Sequence, residues 1–215
     1  MSGDMQVRDH FEADAERFDA IYDDAKGPLR RFIDNCWRGV VRERFRLVLE
    51  RLSPVDGLTV LDVGTGSGRY CLALAQRGAR RAVGIDFAPR MIEIARDQAI
   101  RLGLSGRCEF HVGSFPEDLP PGRYDAVMAM GFFDYVSDPV AMVKAMGDLA
   151  EETILMSFPK SREWRAPIRR LRFMFLRCPL YLYSQADVRQ VLRNAGVTRY
   201  ECIDLGRDYI IVADV

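Results

Sequence analysis

Two carboxylates and three glycines are the residues of this chain best placed to do chemistry: Asp62, Gly64, Gly66 and Gly68, then Asp86. Glycines at alternate positions let a backbone turn take positive φ and approach a ligand closely. Before them, Thr59 to Val63 are β-branched or apolar apart from Asp62, and read as a buried strand. After them, Tyr70 to Gln76 are helix formers, and a helix start aims free N–H groups into the loop. Strand, glycine turn and helix in that order cradle a cofactor. Asp86 stands 20 residues beyond Gly66, at the end of the next expected strand, where its carboxylate can accept from both hydroxyls of a ribose. Asp62 is the unusual residue, because a central parallel strand is normally apolar on both faces. It should meet a cation or a hydrogen-bond donor.

Alternating elements must position these groups. The patterns predict helices over 9–26 and 29–52, then strand 58–63, helix 68–77, strand 81–86 and helix 89–102. Strand 107–113, strand 124–130, helix 138–149, strand 153–158 and helix 184–195 follow. Strands 197–204 and 208–214, joined by Gly206-Arg207, read as an antiparallel hairpin. Such alternation implies an α/β fold: a Rossmann-like, seven-stranded, mostly parallel sheet with helices on both faces. Ligands of such sheets bind beyond the carboxyl ends of the strands.

The glycine turn alone leaves NAD, FAD and S-adenosylmethionine open. Two details separate them. The dinucleotide fingerprint wants glycine at its first, third and sixth positions, but the sixth here is Arg69 and the third glycine comes one place early. A pyrophosphate beside Asp62 would also meet a like charge, whereas S-adenosylmethionine has no phosphate and carries an ammonium group.

Val60-Leu61-Asp62-Val63-Gly64-Thr65-Gly66-Ser67-Gly68 resembles the first motif of class I S-adenosylmethionine-dependent methyltransferases, and Gly84-Ile85-Asp86-Phe87-Ala88-Pro89-Arg90-Met91 resembles the segment that follows it. By that resemblance the cofactor is S-adenosylmethionine, held by Asp62, Gly64, Thr65, Gly66, Gly68, Asp86 and Phe87, with Met91 bordering the adenine. Gly113, Ser114 and Phe115 take the adenine-edge position. Many members have an acid where Ser114 stands, so here a backbone N–H or the Ser114 hydroxyl would serve. Met130 lies by the methionine part, and Phe132 to Tyr135 line the mouth, with Phe133 and Tyr135 expected to touch substrate. A narrower resemblance, to the Mg-protoporphyrin IX methyltransferase group, rests on Leu155-Met156-Ser157-Phe158-Pro159, Trp164, Tyr181 and Gly206-Arg207-Asp208-Tyr209.

Sulfonium chemistry needs alignment more than acid–base help, so a carboxylate acceptor would need no base. For a hydroxyl or amine acceptor, the reachable bases are Asp134, Tyr22 and His111. Residues 1–52 are expected to form helices capping the site over a core of 53–215, and 160–183 to form a basic-aromatic lid. Trp164, Ile168, Leu171 and Phe175 share one helical face there, and Arg165 and Arg169 are placed to grip an anionic substrate. Contact of this helix with an anionic membrane is another reading. Competing readings of the whole chain are a nicotinamide-dependent oxidoreductase and a non-catalytic adaptor that keeps the fold.

Composition bounds the partners. Basic and acidic residues balance at 31 each, which removes a global electrostatic case for nucleic acid, so the expected partner is a small-molecule substrate. Oligomeric state is not legible. Five scattered cysteines suggest reduced thiols in the cytoplasm. With two histidines and no acid cluster beside either, no metal site is expected. The N-terminus is polar and charged, unlike a signal peptide, and no apolar run reaches membrane-spanning length.

Overall fold

A computed structural model of the chain describes residues 41–119, 121–161 and 180–215. The expected helices before residue 41, with Tyr22, and most of the 160–183 segment, with Arg165 and Arg169, lie outside the described residues. Residues 41–51 are helical (α1). Then come β1 (Thr59–Val63), α2 (Arg69–Gln76), β2 (Arg81–Asp86), α3 (Pro89–Arg101), β3 (Cys108–Val112) and β4 (Tyr124–Ala129). They are followed by α4 (Pro139–Leu149), β5 (Ala150–Pro159), α5 (Gln185–Asn194), β6 (Tyr200–Asp204) and β7 (Asp208–Asp214).

The strands form one seven-stranded sheet in the order β3-β2-β1-β4-β5-β7-β6. Neighbours from β3 to β5 are parallel, and β7 runs antiparallel to both β5 and β6. The expected hairpin is therefore present, with its second strand inserted next to β5. Strand order reverses between β1 and β4, so the loops that follow these two strands flank the crevice where such folds bind ligands.

Alternation along the strands separates two apolar layers. Leu61, Val63, Val83, Ile85 and Val127 pack towards Val143 and Met146 of α4 and Val188 and Leu192 of α5. On the other face, Val60, Ala126 and Met128 meet Val48, Leu49 and Leu52 from the α1 end, with Leu74 of α2. Ala82 and Phe110 pack with Cys71, Ile92 and Ala95 of α2 and α3. Burying a side chain of this size contributes about 1.5–3 kcal/mol each.

Two boundaries differ from the sequence reading for local reasons. β5 starts at Ala150 because that residue already pairs with Tyr124, and the Arg123 guanidinium donates to its carbonyl at 3.0 Å. The exposed Glu151-Glu152 hid this start. β6 starts three residues late because Gly196 (φ +84°) and Val197 are occupied in closing α5, their amides donating to Arg193 and Leu192 carbonyls at 3.1 and 2.9 Å. At its other end α5 is closed by a capping box between Ser184 and Asp187.

Candidate functional site

β1 ends in a tight turn because Gly64, Gly66 and Gly68 all have positive φ, at +69°, +53° and +77°. The three glycines serve different ends. A Cβ at Gly66 would meet nothing within 4 Å, so this position opens onto free space. A Cβ at Gly64 would come within 2.9 Å of the Phe132 ring, so the loops after β1 and β4 touch there. A Cβ at Gly68 would strike Phe110 and Ala95 at 2.7 and 2.9 Å. Gly68 thus lets α2 pack on α3 and β3. Its glycine is explained by packing, and the ligand side of the turn is carried by Gly64 to Gly66.

Asp62 and Asp86 lie on the same face of the sheet, at the ends of adjacent strands, β1 and β2. Both Asp86 oxygens are used: Oδ2 accepts from the Gly66 amide and Oδ1 from the Ala88 amide, each at 2.9 Å. The carboxylate therefore clamps the glycine loop to the start of α3 and keeps further lone pairs for ribose hydroxyls. Burial pushes its pKa up, and these two amide bonds pull against that. Asp62 is 1% exposed and accepts from the Thr65 hydroxyl at 2.8 Å. Burial raises its pKa from the ordinary carboxylate value to about 7, opposed by the Thr65 bond and assisted by the negative Asp86. A cation beside it would reverse that shift. Gly84, inside β2, makes room for this arrangement: a Cβ there would lie 2.7 Å from Thr65 Oγ1. Its signal in the sequence was a glycine within a strand pattern.

The fit to an S-adenosyl group rests on these features: an open glycine position, a clamped acid with spare acceptor capacity, and a buried carboxylate of raised pKa. Phe87 is half-buried and packs with the buried Ala88 and Met91. At the expected adenine edge, the Gly113 amide donates to the Asp86 carbonyl at 3.0 Å. Ser114 is exposed, but its amide already donates to Asp118 Oδ2 at 2.9 Å. The Ser114 amide is thereby engaged within the loop. Asp118 was missed by sequence reasoning; its only trace was an acid four residues on. Phe115 is buried in the apolar core.

The loop after β4 holds Met130 half-buried, followed by Gly131 at φ +79°. Phe133 departs from its expected contact with substrate. It is fully buried, stacked on Phe158 with ring centroids 4.4 Å apart and edge-on to Phe132 at 5.6 Å. It supports the loop from below. Asp134 is 8% exposed, and its carbonyl accepts from the Tyr181 amide at 2.9 Å. Tyr135 is half-buried beside it. The third candidate base, His111, is not brought to this place. It shares a face of β3 with Glu109, opposite the face that carries Asp62 and Asp86, and its Nε2 is 3.9 Å from the Glu109 carboxylate. Three strand spacings, about 14 Å, also separate β3 from β4.

Comparison with known proteins agrees with this geometry. Residues 60–152 match the family model of a methyltransferase domain. A tRNA U34 carboxymethyltransferase of Pseudomonas fluorescens (strain Pf0-1) is 30% identical over 196 residues, covering 84% of this chain and 58% of that protein. A ubiquinone biosynthesis O-methyltransferase of Leptothrix cholodnii is 36% identical over 110 residues, covering 50% of this chain and 46% of that protein. The chain thus spans about half the length of the curated relatives it matches. Among solved structures, magnesium protoporphyrin IX methyltransferase from Synechocystis PCC 6803 with bound SAH has a TM-score of 0.80 at 23% identity, covering 98% of this chain and 99% of that one. The expected fold and the methyltransferase resemblance are borne out; the likeness to the protoporphyrin enzyme, at 23% identity, is one of fold.

One expectation is overturned. Balanced charge was read as removing nucleic acid from the partners, but the first relative named acts on tRNA by its name. Net charge reports only the summed field and says nothing of a local basic surface. No helix among the described residues is long and apolar enough to cross a membrane.

Proposed function

We propose, from the match of residues 60–152 to the family model of a methyltransferase domain, that the chain transfers a methyl group from S-adenosylmethionine to an oxygen of a small, anionic acceptor. One observation carries the cofactor part: two carboxylates, the buried Asp62 and the half-buried Asp86, flank the open turn at Gly66. That pairing suits a ribose and an ammonium group and disfavours a pyrophosphate. Bound there, the cofactor supplies a methyl group that its sulfonium has already made electrophilic.

This chain's residues then have three tasks. Asp86 accepts from the ribose hydroxyls while its bonds to Gly66 and Ala88 keep it in place. Asp62 supplies a negative charge that favours the ammonium group, and Thr65 fixes its orientation. The loop of Phe132 to Tyr135, packed on Gly64, borders the acceptor side and excludes water. A carboxylate acceptor attacks without a base. For a hydroxyl acceptor, Asp134 is the carboxylate on that loop that takes the proton. The small-acceptor reading is supported by end-to-end agreement with the protoporphyrin enzyme and by the O-methyltransferase relative.

A second reading, transfer to tRNA, is supported by the relative that covers 84% of this chain. Isotope-labelled S-adenosylmethionine separates the two. Purified protein is given a metabolite extract in one tube and total tRNA in another. Label in a low-mass anionic ester or ether supports the first reading, label in tRNA replaces it with the second, and label in neither removes both.

A further inference from the structure

We infer that Arg44 is a positioning residue that sets the loop after β4 through the neighbouring strand β5, on the sheet face that also carries Asp62 and Asp86; the inference rests on the methyltransferase reading for its functional consequence. Arg44 lies on α1, and its side chain is 16% exposed. Its Nη1 donates to Ser157 Oγ on β5 at 3.3 Å, and its Nε lies 3.6 Å from Asp208 Oδ2 at the start of β7. Ser157 is 1% exposed and its hydroxyl also accepts from the Gly131 amide, at 2.7 Å. Gly131 begins the loop that carries Phe132, Asp134 and Tyr135.

The turn at Gly131 is shaped around the guanidinium. Gly131 is left-handed at φ +79°, and a Cβ on it would lie 3.3 Å from Arg44 Nη1. The next residue, Phe132, is the one whose ring occupies the space beside Gly64. A continuous path therefore runs from α1 through Ser157 and Gly131 to the glycine turn. Anchoring α1 does not require this. Val48, Leu49 and Leu52 already seat its far end in the core. A cation placed in so little solvent is costly unless it is matched. Here Asp208, at the start of β7, supplies the matching charge, and Ser157 stands on β5, the strand beside β4. The cost is met where the chain leaves β4 for the site.

The experiment uses the full chain and reads amide hydrogen exchange at Gly131 and Gly66 together with the dissociation constant for S-adenosylhomocysteine. Arg44→Ala and Ser157→Ala should each speed exchange at Gly131 by about tenfold or more while Gly66, held by Asp86, keeps its rate. The dissociation constant should rise several-fold, and Arg44→Lys should recover part of both effects. Arg51→Ala, on the same helix but paired with the exposed Glu201, should change neither. Unchanged exchange at Gly131 in folded Arg44→Ala would overturn the inference, and so would equal acceleration at Gly131 and Gly66. Should Arg44→Ala not fold, Ser157→Ala makes the same comparison with only a hydroxyl removed. A wild-type protein that does not bind the ligand removes the methyltransferase reading, while the exchange rates still decide the role of Arg44.

Discussion

The turn after β1 and the loop after β4 face each other at one end of the sheet, and they are built by different means. The first is closed by local chemistry. Gly66, Ala88 and Thr65 donate to two carboxylates at the ends of neighbouring strands, and all of these residues fall between 62 and 88. The second is held by distant groups. Gly131 hangs on Ser157, Ser157 meets Arg44, Phe133 stacks on Phe158, and Tyr181 reaches Asp134. A binding half made of one contiguous motif can be kept while the other half is rebuilt around a different acceptor. The matched family model, spanning 60–152, covers the first half and leaves Arg44, Ser157 and Asp208 outside it.

The largest expected effect concerns Asp62. Its folded pKa, about 7, stands above the ordinary value of 3.8, so the folded state binds the extra proton between those limits. The Asp62 contribution to the stability of the ligand-free protein should therefore be full below about pH 4 and be lost as pH rises to 7, by on the order of 4 kcal/mol. Asp62→Asn should flatten that slope in denaturant titrations from pH 4 to 8. Cofactor affinity should run the opposite way, rising towards pH 7, because only the ionised form attracts an ammonium group. A flat profile in both measurements would break the electrostatic part of the contrast between the two loops.

Next in size is Asp86→Ala. It removes the acceptor for two amides and for the ribose, and should weaken binding of S-adenosylhomocysteine by on the order of 100-fold. Gly68→Ala should act on folding. The added methyl would collide with Phe110 and Ala95 at the α2–α3 contact, which costs about 1–3 kcal/mol in unfolding experiments. Gly66→Ala is the counterpart: its methyl meets open space, so steric loss should appear in ligand binding, beyond about 1 kcal/mol of backbone strain. Equal effects of the two glycine substitutions on binding and folding would blur the division of labour within the turn. The smallest effect belongs to Arg51→Ala, where loss of an exposed ion pair with Glu201 should change stability by less than about 1 kcal/mol.

The two regions also differ in what the sequence makes legible. Asp62, the glycines and Asp86 were readable because strand, turn and helix fix their relations within a single βαβ unit. The sheet was readable because its helices and strands alternate in clear periods. The packing role of Gly68 and the burial of Phe133 were hidden for one reason: spacing shows that a glycine or an aromatic belongs to a loop, and only packing shows which way it faces. His111 illustrates the same limit, since one step of strand alternation moves it to the wrong side of the sheet. Arg44 carried no signal, and Ser157 stood in a motif that said nothing of their pairing. They are 113 residues apart, and nothing in either neighbourhood marks a buried arginine or the serine that receives it.

The most direct test of the central claim is a calorimetric titration of the full chain with S-adenosylhomocysteine, repeated with Asp86→Ala and with NADH. One-site binding by the wild type, lost in the variant and absent with NADH, is the predicted result. No heat up to millimolar ligand, or binding of NADH in its place, would contradict the assignment of the crevice at Gly64 to Asp86.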